Sequence, residues 1–160
     1  MTHHMPKAAP TILSKKLFKL TMGGGLVFWA TTIATSLLPI AAEYRAAYSD
    51  WSIQTVWVAS LPMGMIIGFC VSYILLRYFD RIPSKNPILK SGILSFIALI
   101  IAVILIDVPQ SFFGMSNSSA ALYFFLVGVM FNAARFLLLG IVIGCLYTEP
   151  AYFLFKGEKK

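Results

Sequence analysis

Charge is scarce in this sequence. Only 12% of its 160 residues are Asp, Glu, Lys or Arg, against about 25% in an ordinary soluble domain. That shortage excludes a water-facing globule. Two cysteines are too few for a disulfide-stapled scaffold. Intrinsic disorder, which requires low hydrophobicity, is excluded by what fills the space: 59% hydrophobic residues and a mean hydropathy of +0.82. The chain is expected to be an all-α membrane protein.

A helix that crosses the roughly 30 Å of bilayer hydrocarbon needs about 20 mainly apolar residues. Four runs qualify, at about 21–42, 53–77, 88–106 and 121–148. None alternates with period two, as a barrel strand does. Helices satisfy their own backbone amides, which lipid cannot do. The expected architecture is therefore four transmembrane helices in an up-down bundle with short loops. Residues 1–20 form a cytoplasmic N-terminal segment and 149–160 a cytoplasmic tail. A cleavable signal peptide fits the first run poorly, because its apolar stretch is too long and Ile40-Ala41-Ala42 is a weak cleavage site.

Of the 13 basic residues, all but Arg45 and Arg135 fall in the N-terminal segment, around the second loop (Arg77, Arg81, Lys85, Lys90) or in the tail. Basic loops stay on the cytoplasmic side, so both termini are expected inside, in a plasma or cytoplasmic membrane. The positive charge, with a pI near 9.6, is then an attraction for anionic lipid headgroups at the inner face. It is not a nucleic-acid surface, since no recognition motif accompanies it. Ile12 to Leu20 mixes apolar residues with lysines and is expected to lie at the interface, with Gly23-Gly24-Gly25 as the bend into the first span. Tyr44, Tyr48, Trp51 and Trp57 at one boundary, and Tyr73, Tyr78, Tyr147 and Tyr152 at the other, are expected as interfacial anchors.

Small residues recur at helical spacing: Ser60, Gly64, Gly68 and Ser72; Ser91, Ser95, Ala98 and Ala102; Gly128, Asn132, Gly140 and Gly144. In lipid such stripes mark where helices approach closely. They serve the bundle, a homo-oligomer, or contact with a larger membrane complex. Pro39 and Pro62 fall inside the first two spans and are expected to kink them, freeing the carbonyls of Thr35 and Val58.

Arg135 is the costly residue. It lies roughly 20 Å from either end of its run, and a charge there costs about 2.5–3.5 kcal/mol on insertion scales. A polar cluster of Arg135, Asn132, Thr31 and Thr35 is expected to shelter it. Asp107, Glu43 and Asp50 are read as lying on the outer side, out of reach. The alternative is that a tilted helix lets Arg135 anchor at the interface.

Weaker features add little. His3 and His4 follow Met1-Thr2 and resemble a tag junction more than a copper site, so no metal and no cofactor are expected. Cys70 and Cys145 are isolated and read as packing residues, and Asn117-Ser118-Ser119 is a chance match to a glycosylation acceptor. No intramembrane acid pair, His cluster or nucleophile–base set is present, so no enzyme is expected. The reading is an accessory or structural subunit packing with itself or a larger membrane complex. The alternative is an oligomeric transporter or channel for a small solute or ion, an anion included, built around Arg135.

Overall fold

A computed structural model describes residues 10–48, 51–82, 84–109 and 118–154. His3, His4, Asn117 and the tail lysines lie outside them. The described residues are helical, with no strand among them: α1 (Pro10–Ser36), α2 (Pro39–Tyr48), α3 (Ile53–Tyr78), α4 (Pro87–Ala102) and α5 (Ser118–Leu154). A 3-10 turn, Phe79–Arg81, follows α3, and a π turn, Val103–Asp107, extends α4. Four stretches are long and apolar enough to cross a membrane: Leu13–Ser36, Ile53–Arg81, Pro87–Asp107 and Ala120–Thr148. The protein is a small integral membrane bundle.

The first span differs from expectation at both ends. It runs through Gly23-Gly24-Gly25 without a break, so the glycines are no bend. Their value is the missing side chain, because α5 lies against Gly23 and Gly24 and α3 against Gly24 and Gly25. A Cβ built on Gly68 of α3 would fall 3.0 Å from the Thr21 carbonyl oxygen and 3.1 Å from the Gly25 nitrogen. At the other end, Pro39 does not kink the span but ends it. Proline has no amide proton and drives the residue before it out of the helical region. The chain turns at Leu37-Leu38, and the Thr35 carbonyl accepts from the Leu38 amide at 3.2 Å. Pro39 then opens α2, whose Ala41 packs on Val127 and Phe131 of α5. Pro62, by contrast, sits within an α3 that continues past it.

Hydroxyls make α1 tolerable in lipid. Thr31, Thr32, Thr35 and Ser36 each donate to a carbonyl three or four residues back, at 2.7–3.2 Å. A second pair of bonds clasps α1 to α3: the Trp57 indole donates to Ser36 Oγ at 2.7 Å, and the Trp29 indole to the Trp57 carbonyl at 2.9 Å. Trp57 is thus a half-buried strut between α1 and α3.

All the small-residue stripes turn inward. Ser60, Gly64, Gly68 and Ser72 are buried. Gly128, Gly140 and Gly144 are buried on α5. A Cβ on Gly144 would lie 2.5 Å from the Ile88 Cα, and Ser91 Oγ donates to the Gly140 carbonyl at 2.7 Å. These contacts bring α4 as close to α5 as α3 is to α1. Leu20, Leu75, Leu139 and Ile143, all with no exposed surface, fill the half of the bundle nearest the basic loop. Cys70 and Cys145 face outward among the exposed apolar residues, so they are not core packing residues.

Four elements meet in a ladder at that basic end. Lys90, only 4% exposed, donates to the Phe79 carbonyl, and its ammonium lies 3.6 Å from the centroid of the Phe79 ring. Phe79 stacks on Tyr147 at 4.7 Å, and Lys16 covers the far side of Tyr147 at 3.6 Å. Aromatic faces are negative, so each ring accepts a cation. Lys90 is therefore an internal fastener rather than a free basic flank.

Candidate functional site: a charged network inside the bundle

Arg135 is half-buried on α5 and points toward the end of the bundle opposite the basic loop. Helical side chains lean toward their own N-terminus, and α5 starts at that opposite end. Its Nη1 donates to Asn132 Oδ1 at 3.1 Å. The Asn132 amide nitrogen in turn donates to both oxygens of Asp107, at 3.2 and 2.9 Å. Asn132 thus stands between cation and carboxylate with its amide polarity matched to both.

The placement of Asp107 corrects the expectation that no acid lies at this depth. It is 3% exposed and bonded within the bundle. Two features bring it there. α4 runs antiparallel to α5, so the leans of Asp107 and Asn132 converge. The π turn does the rest. Asp107 is eight residues beyond the buried Leu99, and in an uninterrupted α-helix that overshoots two full turns by about 80°. The widened turn, in which the Val108 amide bonds the Val103 carbonyl, winds less per residue and takes back part of the overshoot. Ile104, Leu105 and Ile106 stay exposed while Asp107 turns in.

The expected threonines are placed differently. Thr31 and Thr35 spend their protons on their own helix and make no hydrogen bond to Arg135. Thr35 lines a cavity that Arg135 and Asn132 also line; Thr31 does not. What the sequence reading missed is Asp107 together with Tyr44, which α2 folds back over Gly128. A Cβ there would come 2.8 Å from the tyrosine oxygen, so only glycine admits the ring so closely. One signal for Asp107 was available: the third run needs just one more residue of helix beyond 106 to include it.

Two adjoining cavities meet at Asn132 and Arg135. One, of about 160 Å³, lies beneath α2 and is lined by Thr35, Ser36, Tyr44, Arg45 and Gly128 among others. The other, of about 260 Å³, lies between α3 and α4, walled by Ala59, Ser60, Met63, Ile67, Ala102, Ile106 and Asp107. Among the adjacent pairs of spanning helices, α3 and α4 touch least, and this cavity occupies the space between them. Within this site Arg135 Nε is buried without a hydrogen-bond partner, and the Phe28 ring lies 5.9 Å from the guanidinium carbon. The network sets one cation against one carboxylate and leaves one fully buried donor unanswered. Among the described residues no group of His, Cys, Asp and Glu could hold a metal ion. No protein-family model, no curated protein and no solved structure matches the chain.

Proposed function

We propose that the chain is a non-catalytic accessory or structural subunit of a membrane complex, with both termini on the cytoplasmic side of a plasma or cytoplasmic membrane. The observation that carries this reading is the Asp107–Asn132–Arg135 network at the cleft between α3 and α4. Lipid tails offer nothing to the half-buried guanidinium that lines this cleft, whereas a partner helix presenting an amide, hydroxyl or carboxylate does. Interhelical hydrogen bonds of this kind contribute about 0.6–1.7 kcal/mol each in membranes. The small-residue seams are already used inside the chain, which leaves this cleft as its polar lateral opening. The orientation rests on the basic residues clustered at one end.

Photo-crosslinkers at Met63 and Leu137 test the reading, since Met63 borders the cleft and Leu137 is exposed on α5. Crosslinks to a second membrane chain are expected from Met63 and not from Leu137. A protein that leaves gentle extraction as an uncrosslinked monomer refutes the proposal.

A second reading, a small-solute or ion transporter, is favoured by the two cavities converging on Arg135. Against it stand the packed layer of Leu20, Leu75, Leu139 and Ile143 across the basic half and the balance of Arg135 by Asp107. It predicts solute flux in liposomes that disappears in Arg135→Gln; no flux for a broad panel of ions and small solutes removes it.

A further inference from the structure

At the basic end, Arg77 stands where two surface hollows meet. The first, about 270 Å³, runs between the start of α1 and the end of α3 and is lined by Leu13, Ser14, Leu17, Tyr73, Leu76 and Arg77. Its floor is almost wholly apolar. The second, about 430 Å³, is formed by Arg77, Tyr78 and Arg81. Both arginines are exposed, and the Arg81 guanidinium lies 5.5 Å from the centroid of the Tyr78 ring, which restricts where it can swing. Asp80, the carboxylate of this turn, lines neither hollow.

A greasy channel that ends at two forked cations has the shape of one ligand class. We infer that this is a binding site for a single anionic phospholipid, its phosphate on Arg77 and Arg81 and one acyl chain along Leu13, Leu17 and Leu76. Guanidinium groups bind phosphate oxygens in pairs, which lysines cannot match in geometry. Tyr73 and Tyr78 line the rim, with their hydroxyls beside the Arg77 guanidinium. The level is right as well: both arginines lie in the last turn of α3 and the 3-10 turn beyond it, where a span leaves the hydrocarbon. This site is separate from the charged network and does not depend on how that network is used.

Native mass spectrometry of the full chain released from nanodiscs tests it, with phosphatidylglycerol and phosphatidylcholine as the probes. One phosphatidylglycerol per chain is expected to remain bound where phosphatidylcholine is lost. Each arginine near an anionic group contributes about fivefold in affinity, so the double variant R77Q/R81Q is expected to retain phosphatidylglycerol about 25-fold less well. Both side chains are exposed, and an unchanged circular dichroism spectrum verifies folding. L17W, which fills the groove, is expected to reduce retention with both arginines intact. Equal retention of the two lipids, or undiminished retention in R77Q/R81Q, overturns the inference. Displacement by soluble glycerol phosphate also overturns it, in favour of a free-phosphate site.

Discussion

Substituting Arg135 and Asp107 singly and together measures how the network is held. Arg135→Leu leaves the Asp107 carboxylate, 3% exposed, with the Asn132 amide as its remaining bonded neighbour. Asp107→Leu keeps the guanidinium's bond to Asn132 but removes the carboxylate that balances its charge, with Nε already unpaired. Breaking a buried pair by removing one member costs about 3–5 kcal/mol, whereas replacing both members with apolar groups is often neutral. The hydrogen bonds themselves supply the smaller share, since interhelical bonds in bilayers average about 0.6 kcal/mol. Each single variant is therefore expected to lose about 3 kcal/mol and the double variant about 1, the residue of an Asn132 left without charged partners. The new leucine at 135 would lie beside Phe28 and Phe136, which stand edge to face at 5.7 Å. Reversible unfolding in mixed micelles, followed by tryptophan fluorescence, gives the three free energies. Costs that add to within about 0.5 kcal/mol would mean independent sites and would refute the coupling. An Arg135→Leu variant as stable as the parent would place the guanidinium among lipid headgroups and remove the network altogether.

Glycine substitutions separate close approach from open surface. Gly144→Ala, which drives a methyl onto the Ile88 backbone, is expected to destabilise by about 1–3 kcal/mol. Gly92→Ala, with nothing within 4 Å, is expected to stabilise by about 0.5–1 kcal/mol through helix propensity; the same micelle unfolding reads both. Lys90→Met removes the ammonium from the Phe79 ring and carbonyl and is expected to cost about 1–3 kcal/mol. A parent-like midpoint for Lys90→Met would show that Lys90 is only a topological flank. Trp57→Phe deletes the bond to Ser36 and is expected to cost about 1 kcal/mol, with earlier proteolysis between α1 and α3. Unchanged protection there would show that the clasp does not hold the two helices.

The stripes at Ser60–Ser72, Ser91–Ala102 and Gly128–Gly144 were legible because a helix repeats its face every three to four residues. Which helix each stripe would meet was not legible, since spacing carries no partner. The Asp107–Arg135 relation failed for a similar reason. Sequence distance from a loop measures depth only if the helix is regular, and a π turn and the lean of side chains both change depth without changing position. Thr31 and Thr35 were plausible acceptors by depth, but a threonine in lipid turns first to its own helix, where a carbonyl is always within reach. Within an apolar run a proline's lost amide and its clash with the preceding turn suit a kink and a helix end equally, so the sequence does not separate the two at Pro39. α2 gains a seat against Val127 and Phe131 by starting afresh there.

The amino-acid sequence alone determined that this chain belongs in a bilayer, in four helical crossings, with its positive charge gathered at one end. Hydropathy and backbone hydrogen bonding act locally, so a linear reading captures them. Only the tertiary structure decided that Arg135 is balanced by Asp107 through Asn132, that Lys90 is an inner fastener, and that a cavity occupies the space between α3 and α4. Those outcomes depend on which side chains converge across helices distant in sequence, and convergence is a property of packing that no single segment contains.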